Sequence, residues 1–572
     1  MTARRAHAYP QVDARAAGLI NLRVIACPAG ATAAQALDIV LKRSGRALAL
    51  HGKEGLVLLE DLTRAVQLGL PALAADTLRR PVPVVTANET EITVRRRLLS
   101  GAPAVLVTER LHPIGAVGRS AVHADAVAGL SLAARLRSRV SPAALRLLTE
   151  VGRLAGTVGS RAFAVGGIVR DALIDSGADA IGDRRGPRDI DIVIEGDGIG
   201  LARRAARALG GRLTVHEAFG TASIEGQAGG RLDIVTARAE RYGAPGALPT
   251  VRAGTIIADL ERRDFTVNAM AIELSSGAFG LLDPLGGRQD VERRRIRVLH
   301  PLSFVEDPTR IFRAARYATR LGFTLDRASL RARALALRLA PYAALSGRRI
   351  AAEIELVLGD TAPGTTLGRL AACGAFRLLD RRFRISRASA RRIAVLPDAI
   401  AWVRARRLTA APLELAALAI VADQRPEVVT AALRALGLSG DPVARLLRTY
   451  AGVPALLARL ADAAAAAPSA RATLLRDRPA IDLAWAWLIG GAEARAQLDW
   501  YLAGASRVRA ELRGEELVDL GVPRGPAVGL VLRRLRDARI DGSARSRDDE
   551  VGLVRAWRAA GMAEPSTARR EG

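Results

Sequence analysis

The alternation of apolar and polar positions changes character twice along the chain. From Asn21 to about Val122 it reads as two similar units, each a helix, an apolar strand, a short turn and a second strand. Ser44-Gly45-Arg46-Ala47-Leu48 in the first answers Ser100-Gly101-Ala102-Pro103-Ala104 in the second, and the second strands fall at residues 55–59 and 114–117. Leucines and alanines at helical spacing predict a linker helix over residues 130–151. Next, the apolar Phe163-Ala164-Val165 predicts a strand that meets Gly166-Gly167 and a helical segment. Ile190, Ile192 and Ile194 alternate with Asp189, Asp191, Val193 and Glu195, the period of a strand with its isoleucines in a core. A helix over residues 200–209 ending at Gly210, and strands over 212–215, 221–225 and 231–236, complete a compact α/β unit. From Pro301 onward, Ala, Leu and Arg at helical spacing predict an all-α half. Gly322, Pro363, Pro397, Pro412 and Pro468 punctuate it, the last stopping the alanine run 463–467.

Composition adds a partner. The 572 residues exceed one ordinary core, and half of them are hydrophobic, so burial is ample. A formal charge of +27 lies beyond what solubility requires and points to a polyanion, nucleic acid first. Lysine occurs only at Lys42 and Lys53; a GC-rich coding sequence explains arginine replacing lysine, but not the excess. Cys27 and Cys373 are too few and too far apart for a disulfide framework or a zinc cluster. Residues 1–19 form a polar lead-in without the apolar core of a signal peptide, and no long uncharged apolar run follows, so the expectation is a cytoplasmic protein with no membrane partner.

Three constellations carry chemistry. The first joins the Gly166-Gly167 turn, a strand-turn-helix arrangement that aims backbone N–H groups at an anion, to Asp189 and Asp191 on one strand face. Two carboxylates on one face repel unless a cation joins them, and an all-oxygen set favours Mg²⁺ over zinc. Asp233, in an apolar run, is costly to bury unless it is ion-paired, protonated or metal-bound. As a metal-bound acid it would make a third catalytic carboxylate beside the other two. The second is Arg262-Arg263-Asp264-Phe265-Thr266-Val267-Asn268. Here Arg263 suits a phosphate, and Asp264 and Asn268 suit a ribose or each other; a purely structural reading has Asp264 capping a helix. The third runs from Glu306 to Arg316, with Asp307 as N-cap and Pro308 as first residue of a helix. At about 100° per residue, Arg310, Arg313, Arg316 and Arg320 share one stripe, and such a stripe calls for an anion, from a ligand or from acids elsewhere in the fold. No G-x-x-x-x-G-K-[ST] run exists, which excludes a P-loop NTPase.

In this order and spacing, VGGIVRDAL, RDIDIVI, FGTASI, LDIVTARAERY, RRDFTVNAMA, LLDPLGG and EDPTRIFRAAR resemble the class II tRNA nucleotidyltransferase and bacterial poly(A) polymerase family, within the polymerase-β-like superfamily. The likeness continues through residues 345–358 and 512–535, while the link over residues 175–188 is longer than the family's usual one. It implies an α/β nucleotidyltransferase head with a mixed-sheet palm, followed by an all-α neck, body and tail. It further implies Asp189 and Asp191 as ligands of Mg²⁺, and Gly166, Gly167 and Arg170 against the nucleotide triphosphate. Arg263, Asp264 and Asn268 would hold nucleotide, and Asp307 and Arg310 would read the base with Arg313 in support. The implied activity is template-independent addition of CMP, AMP or both, from CTP and ATP, to a tRNA 3′ end. Poly(A) polymerase and a non-catalytic RNA-binding protein are the alternatives.

The N-terminal units resemble a CBS pair, an adenosyl-binding α/β module in which Asp61 would meet a ribose. Leu58 replaces the usual Thr, and Gly118 and Ala121 break the second motif, so sensing and a structural or homodimer-forming role both stay open. The expected division is a lead-in (1–19), the CBS-like module (20–125), a linker helix (126–150), the head (151–298), a neck that recognises the base (299–358), a tRNA-binding body and tail (359–560) and a C-terminal tail (561–572).

Overall fold

Each N-terminal unit opens with a strand that the sequence pattern hides. In the computed structural model, which describes residues 15–122, 131–174, 189–217, 220–225, 231–438 and 440–560, the first unit runs β1 (Val24–Cys27), α1 (Ala33–Lys42), β2 (Ala47–Leu50), β3 (Val57–Leu58) and α2 (Leu59–Gln67). The second runs β4 (Val84–Thr86), α3 (Glu91–Leu99), β5 (Ala104–Glu109) and β6 (His112–Gly118). In both three-stranded sheets the first strand is parallel to the second and the second antiparallel to the third, so the sequence repeat is a repeat of topology. Strands β1 and β4 span four and three residues, too few for a period of two to stand out. Side-chain caps fix the helices at the same place in each unit. Thr32 accepts from the Gln35 N–H and Thr90 from the Thr93 N–H. The strand expected over residues 55–59 is cut short because Leu59 already begins α2.

The linker is two helices, α4 (Ala133–Arg139) and α5 (Pro142–Thr157). Pro142 cannot continue α4 and instead takes the first turn of α5, where Ser141 caps the Ala144 N–H. The head follows as β7 (Arg161–Val165), α6 (Gly167–Leu173), β8 (Asp189–Glu195), α7 (Gly198–Leu209), β9 (Arg212–His216), β10 (Thr221–Glu225), β11 (Arg231–Thr236), a separate hairpin β12 (Arg238–Arg241) and β13 (Thr250–Ala253), α8 (Ile256–Glu261), β14 (Ala271–Glu273), β15 (Leu281–Leu282) and α9 (Gly287–Glu292). Its seven-stranded sheet has the order β15-β14-β7-β8-β11-β10-β9, with β8 and β11 the parallel pair at its centre. Ile192 and Ile194 are fully buried on the face that α5 and α7 cover, each stabilising the fold by about 1.5–3 kcal/mol. The other face is covered too: Val193, Phe163 and Val165 pack with Ile256 and Leu260 of α8, and Glu195 accepts the Ile256 N–H at 2.6 Å. The carboxylate-bearing face of β8 is therefore covered at Val193, the position beyond Asp191.

After the head come α10 (Ser303–Glu306), α11 (Arg310–Leu321), α12 (Arg327–Leu339) and α13 (Gly347–Leu358). This stretch was expected to be purely helical, yet Thr324–Leu325 is a short strand parallel to Arg295–Ile296. The repeats dock on the head through charge and close backbone approach. Arg80 holds the fully buried Asp61 with two bonds of 2.6 Å and donates to the Leu299 carbonyl. Asp61, which the CBS resemblance assigned to a ribose, is thus spent on an internal ion pair. Gly286, at φ +74°, lets the backbone at Gly101 approach: a Cβ there would sit 2.6 Å from the Gly101 Cα.

The chain divides into two compact units between Arg349 and Ile350, inside α13 and nine residues before the neck boundary expected at residue 358. The second unit is helical throughout its described residues. Its prolines act as starters: Pro363, Pro412 and Pro468 each open a helix at its first turn, so Pro468 begins Pro468–Leu475 and does not stop the alanine run. Pro397 lies inside Arg387–Ala405 and is no boundary at all. Trp402 stacks on Trp487 at 5.6 Å and donates its indole N–H to Asp499 at 2.7 Å. No described helix is long and apolar enough to cross a membrane.

Candidate active site

Between β7 and α6 the backbone at Gly166 adopts φ +74°, ψ −129°, a conformation that only glycine enters without strain. That turn brings the start of α6 against β8, where Val165 is the register partner of Asp191. The direction built for a Cβ on Gly166 points at Asp191 Oδ2 (3.6 Å) and Arg263 Nη1 (3.5 Å), so an acid and a guanidinium converge on the turn. Asp191 is exposed into a cavity of about 870 Å³ whose walls also carry Gly167, Arg170, Asp264, Asn268, Asp307, Arg310 and Arg313. Asp189 lies two residues earlier on the same strand, and its side chain falls outside the described residues.

Asp233 is the register partner of Asp191 on β11, as a third acid would need to be. Its carboxylate is nevertheless engaged, accepting from Ser223 Oγ at 2.5 Å and Arg231 Nε at 2.9 Å, and it is not among the lining residues of the cavity. The structure thus shows the ion-paired alternative, with the Asp233 carboxylate held by Ser223 and Arg231.

The second constellation is tied down by acids and amides. Fully buried Asp259 of α8 accepts from Arg262, three residues on, and from Arg263, four residues on, at 2.6 and 2.9 Å. Asp264 is the hub of the site. Its Oδ1 accepts from the Phe265 N–H (2.8 Å) and Asn268 Nδ2 (3.1 Å), its Oδ2 from Arg313 Nε (2.9 Å) and Nη2 (2.7 Å). Burial alone would raise the Asp264 pKa, but Arg313 and the Asn268 hydrogen bond outweigh it and hold the carboxyl below the ordinary range. Asn268 in turn accepts from Arg170 at 2.7 Å, so Asp264 and Asn268 satisfy each other and fix two cations. The α-helix expected after Asp264 is a single 3₁₀ turn, Thr266–Asn268, because Asp264 spends its carboxylate on Phe265 and Asn268.

The third constellation also starts differently from expectation. The helix α11 begins at Arg310, and residues 307–309 form a tighter turn in which Asp307 accepts from the Thr309 N–H (3.0 Å) and hydroxyl (2.6 Å). Arg349 then clamps Asp307 at 2.7 Å. Arg310 is buried, donating to Ser303 Oγ (2.7 Å) and the Arg262 carbonyl (2.9 Å), so its charge meets oxygen dipoles. At Arg313, the anion that the stripe called for is Asp264.

Of the described residues singled out from the sequence for the head and the basic stripe, all but Asp233 and Arg316 line this one cavity. Tyr317 was missed. It sits four residues after Arg313 on the same stripe, with the guanidiniums of Arg170, Arg313 and Arg320 within 5.1–5.6 Å of its ring centre. An aromatic inside a basic stripe was the available signal. Arg349 and Glu240, which holds Arg262 at 2.9 Å, lie in stretches that carry the family resemblance, but nothing in their own pattern set them apart.

Residues 162–297 match the family described as Poly A polymerase head domain. A CC-adding tRNA nucleotidyltransferase of Deinococcus radiodurans is 35% identical over 414 residues, covering 72% of this chain and 92% of that protein. The chain belongs to the tRNA nucleotidyltransferase family. Another member of the family, an A-adding tRNA nucleotidyltransferase of Geobacter sulfurreducens, is 31% identical over 71% of this chain; the chain spans only 46% of that relative's length. A solved Thermotoga maritima CCA-adding enzyme complexed with tRNA is 28% identical, with a TM-score of 0.61 over 75% of this chain and 98% of that one. Members of this family generally use a divalent metal. An exposed Asp191 beside a glycine turn, with only oxygen donors at hand, fits a hard divalent cation. Among the described residues no cluster of three or more His, Cys, Asp or Glu offers a competing site.

Proposed function

We propose that this protein extends the 3′ end of tRNA without a nucleic-acid template, transferring AMP from ATP, CMP from CTP, or both, and releasing pyrophosphate. The observation that carries this reading is the convergence of Asp191, the Gly166 turn, Arg263 and the Asp264–Asn268–Arg170 network in one cavity. Asp189 and Asp191 would hold Mg²⁺, which when bound lowers the pKa of the RNA 3′-hydroxyl and neutralises charge on the phosphates. The backbone at Gly166 and Gly167 and the Arg263 guanidinium hold the triphosphate chain, while Arg170 orients Asn268 toward the sugar.

Asp307 and Arg310 present fixed hydrogen-bonding atoms to the incoming base, the first held by Arg349 and the second by Ser303 and the Arg262 carbonyl. Preorganisation of this kind lets protein groups replace a template strand, because no side chain must reorganise when the base arrives. The tRNA backbone is bound through phosphates and shape, which suits a chain of this charge, and a cytoplasmic location accords with this reading.

The test is to offer tRNA lacking CCA, lacking only the terminal A, or complete, with labelled CTP or ATP and Mg²⁺. Incorporation restricted to one acceptor and one nucleotide identifies an A-adding or CC-adding enzyme. Long A tails on unrelated RNA would establish poly(A) polymerase instead. No incorporation anywhere would sink the proposal.

A further inference from the structure

A second cavity, of about 270 Å³, lies where residues 77–81 and 100–103 of the repeats face residues 289–301 and 326–332. Seven arginines and two aspartates line it. Both acids are committed: Asp290 accepts from Arg297 (2.7 Å) and Thr266 (2.6 Å), and Asp326 caps α12 at the Ser329 N–H (2.8 Å). Deep in the wall Arg80, Arg119 and Arg297 face one another. Arg80 has Asp61, but among the described residues Arg119 donates only to the backbone carbonyls of Gly101 (2.7 Å) and Ala102 (3.0 Å). Arg293, Arg295 and Arg331 stand exposed at the mouth and make no ion pair among the described residues. Burial, then the neighbouring Arg80 and Arg297, push the Arg119 pKa down, with Glu60 and Glu261 opposing from outside the cavity. Arg79, Arg80 and Arg297 have acids of their own, whereas Arg119, Arg293, Arg295 and Arg331 have none within ion-pair distance among the described residues, which leaves the cavity with an excess of positive charge.

We propose that this cavity is a binding site for a small phosphate-bearing anion, separate from the active site. Guanidinium forks at several angles match tetrahedral phosphate oxygens, and the volume admits a short phosphate chain or a mononucleotide. Its wall also touches the active site's support, since Asp290 holds Thr266, the first residue of the turn that carries Asn268.

The test is calorimetric titration of the full-length protein with inorganic pyrophosphate, AMP and adenosine, at about 0.15 M salt to screen loose surface binding. Arg263→Ala weakens the active site, so an anion-binding event that survives in it belongs elsewhere. The expected result is one such event, weakened at least tenfold by Arg293→Glu with Arg331→Glu, while the thermal midpoint stays unchanged because both side chains are exposed. Tighter pyrophosphate than AMP assigns the site to inorganic phosphate chains, and the reverse to nucleotides. The proposal is overturned if no binding survives Arg263→Ala, if adenosine binds as well as AMP, or if the charge reversals weaken only tRNA binding.

Discussion

Asp264 accepts four hydrogen bonds from three residues, two of them neighbours in sequence and the third, Arg313, 49 positions away, which makes it the residue that ties the cavity's walls together. Replacing it with Ala removes the carboxylate that holds the Arg313 guanidinium and the Asn268 amide beside a buried turn. Breaking such a pair costs several kcal/mol when both partners are buried; Arg313 is about a third exposed, so the expected loss is about 2 kcal/mol in urea unfolding. Arg313→Ala alone costs less, and a double-mutant cycle gives a coupling of about 1 kcal/mol or more. Additive losses would mean that the two residues act separately. Asp264 and Arg313 were each legible in the sequence as charged residues at suspicious positions. Their mutual pairing was not, because 49 residues separate them and neither helical nor strand periodicity connects them.

Among the elements, α2 of the first repeat and α10, which follows the head, are joined through Glu306. Arg64 Nε lies 2.7 Å from one carboxylate oxygen and His300 Nε2 3.1 Å from the other. Burial opposes the charge, but His300 and Arg64 outweigh it and hold the Glu306 pKa down to about 2, against an ordinary 4.5. A depressed acid stabilises the fold at pH values above its unfolded pKa, and that contribution drains away as pH falls from about 4.5 through about 2. The shift corresponds to roughly 3 kcal/mol. Unfolding free energy should therefore fall more steeply over that window in the wild type than in Glu306→Gln; parallel curves would refute the link. Elements with strong period or a clear cap were readable in advance, β8 and α7 above all. Two that failed share a cause: Pro142 was read as part of a helix and Pro468 as the end of one, whereas each opens a helix, a position that a proline's fixed φ suits as well as a stop. The glycine turn was legible because its conformation is local.

At the scale of the whole molecule, charge is the feature that sequence conveys best and folding redistributes most. The basic excess runs through both compact units and does not gather in the helical one, so tRNA contacts are expected from both. Affinity for tRNA should fall linearly in a log–log plot against salt, with a slope set by several phosphate contacts. A flat plot would remove the electrostatic account of binding. Arginines that looked free in the sequence, such as Arg262, Arg263 and Arg313, prove to be held by acids; the site uses them as fixed donors and not as mobile charges.

The most direct test of the account is single-turnover nucleotide incorporation into tRNA by the wild type and by Asp191→Asn, with pyrophosphate release followed in parallel. The carboxylate at Asp191 is exposed in the cavity and supports little of the core, so the variant should fold and bind tRNA normally while incorporation and pyrophosphate release both fall by about a thousandfold or more. Undiminished incorporation in Asp191→Asn would contradict the assignment of the site.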